Sequence, residues 1–201
     1  MKFVIIGSGI IGLSVAKALI EKKIYKASEI LIIDKYAIPS NGTSLHNSGV
    51  LHAGLYYKTG SLKAKLSIEG ALKLKEWCDI NKIPILECGK LLVPFNDNDY
   101  ANLDRIEKNA LNNGCQVEII DHKKAINIQP SIVKKEKYLW SPKTSVFTPR
   151  LIMNKLYESL KENGVNFLKK SVLVDDSDKK KLICDDYTNL SYENYINCAG
   201  P

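Results

Sequence analysis

The run SLHNSGVLHAGLYY, residues 44 to 57, gathers His46, Asn47, Ser48 and His52 around two glycines. Such a set could hold a metal, build a nucleophile or wrap a cofactor. A metal site is disfavoured, because no third ligand stands at zinc spacing beside His46 and His52, and His122 is the one remaining histidine. A serine nucleophile is equally poorly supported, since Ser48 is not on a G-x-S-x-G elbow. A plain turn followed by a strand is the simplest alternative to a cofactor loop.

A second stretch bears on that choice. VIIGSGIIG places Gly7, Gly9 and Gly12 in G-x-G-x-x-G spacing. The first glycine permits a tight strand-to-helix turn, the second lets backbone amides approach a diphosphate, and the third lets helix pack on strand. The helix N-terminus adds partial positive charge. Alone the pattern is weak. Here it follows a strand, opens a helix and is answered by Asp34 at the end of the next strand, where a carboxylate can accept from ribose hydroxyls. The alternative is that the glycines serve packing alone and Asp34 is a turn residue.

The elements that must position these residues can be read in order. KFVII (residues 2 to 6) is a buried strand, Leu13, Ala16, Leu19 and Ile20 form a helical stripe, and ILIID (30 to 34) is a second strand, which together make a βαβ unit. A polar, turn-rich YAIPSNGTS comes next. Residues 61 to 81 read as a helix with Leu62, Leu66, Leu72, Trp77 and Ile80 as its inward residues. Strands are expected at 83–86 and 91–95, then a helix capped by Asn96 or Asp97 and ended by Gly114. A strand at 117–120, a short helix at 123–128 and a strand-like segment 137–147 around Pro142 continue the chain. Pro149 opens a helix with stripe Leu151, Ile152, Leu156 and Leu160, stopped by Gly164. Short strands at 165–168, 172–174 and 182–184 precede a last apolar run, 195–199. No internal repeat or low-complexity segment occurs.

Composition excludes several classes. The 201 residues are 45% hydrophobic and 25% charged, ordinary for a globular chain with a core. No window approaches the roughly 18 to 20 apolar residues of a spanning helix. Met1 runs directly into the first strand, leaving no room for a leader, so a cytoplasmic protein is expected. The five cysteines (78, 88, 115, 184, 198) are scattered without C-x-x-C spacing and read as buried or inert thiols, not as a disulfide framework or zinc site. The net charge of +7 comes from dispersed lysines, which suit solvated faces or a shallow preference for anionic substrates or a membrane surface. No stretch interleaves Arg with aromatics as a nucleic-acid binder would.

After the acidic residue a nicotinamide enzyme usually continues into another βα unit. This chain instead enters a loop of small donors that can lie along a diphosphate and bring glycine backbone near a flat ring, which favours FAD over NAD. At this point HNSGVLHAGLYYKTGSLKAKL (46 to 66) and CGKLLVP (88 to 94) resemble the L-2-hydroxyglutarate oxidase/dehydrogenase group of the D-amino-acid-oxidase-like FAD-dependent oxidoreductases. The resemblance runs from Met1 to Pro201. It implies an α/β fold: a Rossmann-like FAD-binding domain of the glutathione-reductase type with an inserted, incomplete α+β substrate domain. By that resemblance the FAD domain comprises 1–57 and a return segment 147–201, and the first part of the substrate domain is 58–146.

The resemblance also assigns residues. Gly7, Gly9, Ile10, Ile11 and Gly12 match the FAD diphosphate loop. Asp34 stands where the family usually has a ribose-binding Glu, with Lys35 beside it. Thr43, Ser44, Asn47, Ser48 and Gly49 match a second cofactor loop, Val172 the adenine-end contact, and Ala199-Gly200 the small-residue turn beside the cofactor. The implied reaction oxidises an (S)-2-hydroxy dicarboxylate to 2-oxoglutarate by hydride transfer to flavin N5, with electrons passing to oxygen or a quinone. His52 is the candidate base, against the alternative of a histidine that only fixes the loop, and His46 is assigned to loop structure. Lys58, Lys63, Lys65 or Arg150 could attract a carboxylate. Family members run to about twice this length, so the chain reads as C-terminally truncated. Three readings stay open: an FAD-dependent 2-hydroxyglutarate oxidoreductase, a non-catalytic fragment or half of a split enzyme that needs a C-terminal partner chain, and an NAD-binding dehydrogenase of another kind. A peripheral position on the inner face of the cell membrane is the alternative to a free cytoplasmic one.

Overall fold

The computed structural model describes residues 1–36, 39 and 42–200. Residues 37, 38, 40 and 41 of the turn-rich YAIPSNGTS segment, and Pro201 of the terminal INCAGP, lie outside the described residues. In chain order the elements are β1 (Phe3–Ile6), α1 (Ile10–Glu21), β2 (Ile30–Asp34), β3 (Val50–Leu51), α2 (Leu62–Ile80), β4 (Ile85–Leu86), β5 (Lys90–Leu92), α3 (Asp97–Asn112), β6 (Glu118–Ile120) and α4 (His122–Ile128). β7 (Tyr138–Ser141), β8 (Ser145–Phe147), α5 (Pro149–Glu162), β9 (Asn166–Lys169), β10 (Val172–Asp176), β11 (Lys181–Cys184), β12 (Asn189–Ser191) and β13 (Asn194–Asn197) complete them. They fall into two compact units, one of residues 1–48 with 149–201 and one of residues 49–148.

The first unit is built on a parallel sheet in the order β13-β1-β2-β9. All five residues of β2 are buried, as an inner parallel strand covered on both faces requires. Helix α1 packs on β1 and against α5, burying Leu13 and Ala16 from one helix and Ile152, Met153, Leu156 and Leu160 from the other. Met153, not the expected Leu151, completes the α5 stripe, because Leu151 projects outward at 42% exposure. The antiparallel sheet β10-β11-β12 supplies Leu182 and, just beyond it, Tyr192 to a core that also contains Val4, Leu31 and Ile33. Successive strand residues point to opposite faces, so β1 and β2 feed the helices and this meander from alternate positions. The result is a three-layer α/β unit.

The second unit holds two antiparallel sheets, β3-β8-β4 and β5-β7-β6. The segment expected as one strand around Pro142 is two strands, β7 and β8, because proline offers no N–H to a ladder and sits in the turn between them. Three helices start on side-chain caps: Ser61 accepts from Ala64 N–H, Asn96 from Asp99 N–H and Asp121 from Lys124 N–H. Leu55, Ala110 and Cys115 form one core, and Ile120, Ala125 and Tyr138 another. Asn109 of α3 donates to the carbonyls of Leu55 and Tyr57, and Asn113 donates to Tyr57, tying the chain after β3 to that helix.

Helix α2 corrects the expected inward face. Leu62, Leu66, Leu72 and Ile80 are 70%, 54%, 59% and 79% exposed, whereas Ala64 and Cys78 are buried. The inward stripe is Ala64, Ile68, Ala71, Lys75 and Cys78, spaced at three and four residues. Small residues let the helix lie close, and the large leucines fall on the other side.

Candidate cofactor site

Gly7 ends β1 with φ +106°, and a Cβ there would meet the Cys198 carbonyl oxygen at 2.4 Å. Glycine is demanded twice over, by dihedral angle and by the strand end beside it. Gly12 lies one helical turn into α1, where a Cβ would sit 2.0 Å from the Gly7 carbonyl oxygen. It sets how closely α1 approaches β1. Gly9 is the N-cap of α1 and has no side chain to cap it, and the first turn carries no acidic residue. The amides that open α1 therefore keep their attraction for an anion.

Two side chains shape this loop. The Ser44 hydroxyl accepts from the Ile10 N–H at 3.0 Å, which fixes the second loop against the start of α1. Asn47 in turn donates its amide to the Ser44 carbonyl at 2.8 Å, and His46 Nδ1 lies 3.1 Å from the Gly42 carbonyl. Asp34 is 7% exposed, and its Oδ2 accepts from both the Ser8 N–H (2.7 Å) and the Ser8 hydroxyl (2.9 Å). Its Oδ1 accepts from the Tyr36 N–H at 2.9 Å. A carboxylate offers about four acceptor positions, so one is left for a ribose hydroxyl.

These residues converge on a cleft of about 750 Å³ within the first unit, inside the roughly 300–1,000 Å³ range of small-molecule sites. Gly7, Gly9, Ile10, Ile11, Asp34, Lys35, Thr43, Ser44, Asn47, Val172, Ala199 and Gly200 all line it. Gly12 does not; it acts beneath the loop, in the packing of α1. Ser48 and Gly49 are also absent from the lining, and Gly49 offers its carbonyl to the Phe147 N–H in the second unit. Sequence reasoning missed Ser8, whose only signal was its place between two loop glycines, and the wall formed by Lys170, Ser171 and Cys198. Lys170 is brought there by its N–H bond to the Asp34 carbonyl, a continuation of the β2–β9 pairing. Its ammonium is engaged by Asp186 and Thr188, and that contact holds the Asp186 carboxyl well below the usual range. Backbone amides at a positive helix end, a nearly buried carboxylate and a glycine-lined floor fit a dinucleotide diphosphate and its ribose.

His52 belongs to the second unit. It lies just after β3, and no hydrogen bond engages its ring among the described residues. Partial burial, then the charge of Lys90, hold its pKa below the ordinary 6.5. Lys90 opens β5, donates to the Tyr56 hydroxyl at 2.7 Å and stands 4.8 Å from that ring's centroid. Of the basic residues singled out from the sequence, Lys65 is shared with Glu69 and Arg150 lies in α5 of the other unit. The cysteines are all free. Burial pushes the thiols of Cys78, Cys115, Cys184 and Cys198 upward, while Cys88 is exposed. Among the described residues no helix is long and apolar enough to cross a membrane.

Comparison with known proteins places this geometry among relatives. Residues 2–201 match the family described as FAD dependent oxidoreductase (DAO). The mitochondrial L-2-hydroxyglutarate dehydrogenase of Caenorhabditis briggsae is 36% identical over 207 residues, covering 98% of this chain and 47% of that protein. Among solved structures, L-proline dehydrogenase from P. horikoshii superposes with a TM-score of 0.85 at 16% identity, over 99% of this chain and 52% of that one. The L-alpha-glycerophosphate oxidase of Mycoplasma pneumoniae, solved with FAD bound, gives 0.79 at 20% identity over 96% and 52%. The chain spans about half the length of these relatives.

Proposed function

Because the chain belongs to the FAD-dependent oxidoreductase family, we propose that it oxidises L-2-hydroxyglutarate, or a closely related 2-hydroxy acid, to the 2-oxo acid. The observation that carries the substrate is the 36% identity to an L-2-hydroxyglutarate dehydrogenase, sustained over 98% of this chain. In this reading the first unit is the cofactor domain and the second is the first part of the substrate domain.

The residues divide the work. The amides opening α1, with Gly7 and Gly9 as floor, hold the diphosphate, and Ser44 can donate its proton to it while accepting from Ile10 N–H. Asp34 fixes the loop through Ser8 and offers its remaining acceptor position to ribose. Val172 and Ala199-Gly200 supply walls. FAD, when bound, supplies at N5 the acceptor for the hydride that leaves C2. His52 takes the hydroxyl proton; its lowered pKa keeps the imidazole neutral, hence basic, at pH 7. Oxygen or a quinone would be the final electron acceptor, and a quinone would suit a peripheral place on a membrane face, to which dispersed lysines are attracted.

The test is product formation. The chain loaded with FAD should convert L-2-hydroxyglutarate, and not its D-enantiomer, into 2-oxoglutarate detected by mass spectrometry. Unchanged substrate from an FAD-loaded chain would count against the reading. A second reading is that this chain binds FAD and a further polypeptide completes the substrate site. There, turnover would appear only after adding the remaining half of a relative as a separate chain.

A further inference from the structure

Resting on that reading, we propose that Lys90, steered by Tyr56, is the cation that binds a carboxylate of the substrate beside the base His52. The ammonium of Lys90 has three donors. One goes to the Tyr56 hydroxyl at 2.7 Å, and the ring of the same tyrosine lies 4.8 Å away. Both partners are neutral, and no carboxylate pairs with Lys90 among the described residues. Lys75 is answered by Glu87, Lys124 by Glu118 and Lys137 by Asp104; Lys90, like Lys58 and Lys63, has no carboxylate among the described residues, and what sets it apart is its bond to Tyr56 and its charge acting on His52. Lys90 is half-buried at the start of β5, and its bond to Tyr56 lies at the surface, where an anion can reach the ammonium. An accessible cation with two spare donors is a receptor for an anion.

Its placement gives the anion a role. Lys90 is the charged group that acts on the His52 imidazole, in the direction that disfavours protonation. A carboxylate bound at Lys90 would offset that charge at the moment the base must accept a proton. The hydroxyl to be deprotonated belongs to a molecule with two carboxylates, so one residue pair can both hold the acid and tune the base. Tyr56, 47% exposed, holds the ammonium through its hydroxyl.

The test reads binding without requiring turnover. Glutarate, an unreactive dicarboxylate, is titrated into the histidine-labelled full chain while NMR follows the His52 ring, with His46 and His122 as internal controls. Saturable movement of His52 is expected, together with a rise in its pKa when glutarate is bound. Lys90→Met should weaken glutarate by up to about 5-fold, the usual consequence of stripping one partner from a solvent-exposed charge pair, and Lys90→Arg should restore most of the binding. Tyr56→Phe, which keeps the ring and loses the hydroxyl, should give an intermediate loss. If Lys90→Met retains the wild-type melting temperature and wild-type glutarate affinity, or if wild-type His52 does not respond to glutarate, the assignment fails. Failure of turnover with intact, Lys90-dependent glutarate binding would overturn the reaction and leave the anion site standing. In an active chain, Lys90→Met should raise KM more than it lowers kcat. An effect confined to dicarboxylates assigns Lys90 to the distal carboxylate, and an equal effect on 2-hydroxybutyrate assigns it to the one next to the hydroxyl.

Discussion

Ser44 puts one hydroxyl on the first amide of α1, and that bond is the simplest handle on the cofactor loop. Ser44→Ala should cost about 0.5–2 kcal/mol, as losing a cap does, and weaken FAD; urea unfolding of the flavin-free chain and fluorescence titration with FAD measure the two. Ser48→Ala, outside the cleft lining, should leave both near wild type. His52 gives a pH prediction with a definite sign. Its pKa lies below the ordinary 6.5, so the neutral base is lost only as pH falls through that lower value. The rate of flavin reduction should therefore be level at pH 7 and fall with an inflection below 6.5, and Lys90→Met should move the inflection upward. His52→Gln should slow reduction about 10²–10⁴-fold, the usual worth of a general base. At this scale the glycines and Asp34 were legible because backbone geometry demands particular residue types. Ser8 and Lys90 were not, since nothing local marks a serine between glycines or a lysine opening a strand. Their meaning comes from partners distant in sequence, Asp34 for one and Tyr56 for the other.

Helix α2 shows where element-level patterns succeed and mislead. Its span and its Ser61 cap are readable from the sequence, but two stripes compete along it. The larger side chains suggested Leu62, Leu66, Leu72, Trp77 and Ile80 as the inward set; Trp77 is half-buried, the other four are exposed, and packing chose Ala64, Ile68, Ala71 and Cys78. Changing those four exposed residues to Gln should shift stability by no more than about 0.5 kcal/mol each, whereas Ile68→Asp or Cys78→Asp should unfold the second unit; thermal melts monitored by circular dichroism distinguish the two sets. The βαβ start and the α5 helix with its Gly164 stop were readable because a single stripe and strong terminators occur together. The three-residue strand β12 and two-residue β3 carry too few residues for any periodicity. They exist because β11 and β8 offer them a ladder.

At the scale of the whole molecule, a three-layer unit carries the cleft and a separate α+β unit carries His52, Lys90 and Tyr56. The first was legible from the glycine loop onward, since a parallel strand, an uncapped helix and an acidic strand end have few other joint uses. The choice between FAD and NAD rested on the small-donor loop downstream of Asp34, and it closes with family membership across residues 2–201. The proposed substrate was legible only through resemblance, because no composition or spacing encodes a five-carbon dicarboxylate. The most direct measurement is the visible spectrum of the purified, FAD-loaded chain under anaerobic titration with L-2-hydroxyglutarate. The expected result is a flavin spectrum that bleaches stoichiometrically with the L-enantiomer and is unmoved by the D-enantiomer, from a bound flavin that denaturation releases as FAD. A colourless chain that refuses FAD, or a bound flavin that dithionite bleaches and L-2-hydroxyglutarate does not, would contradict it.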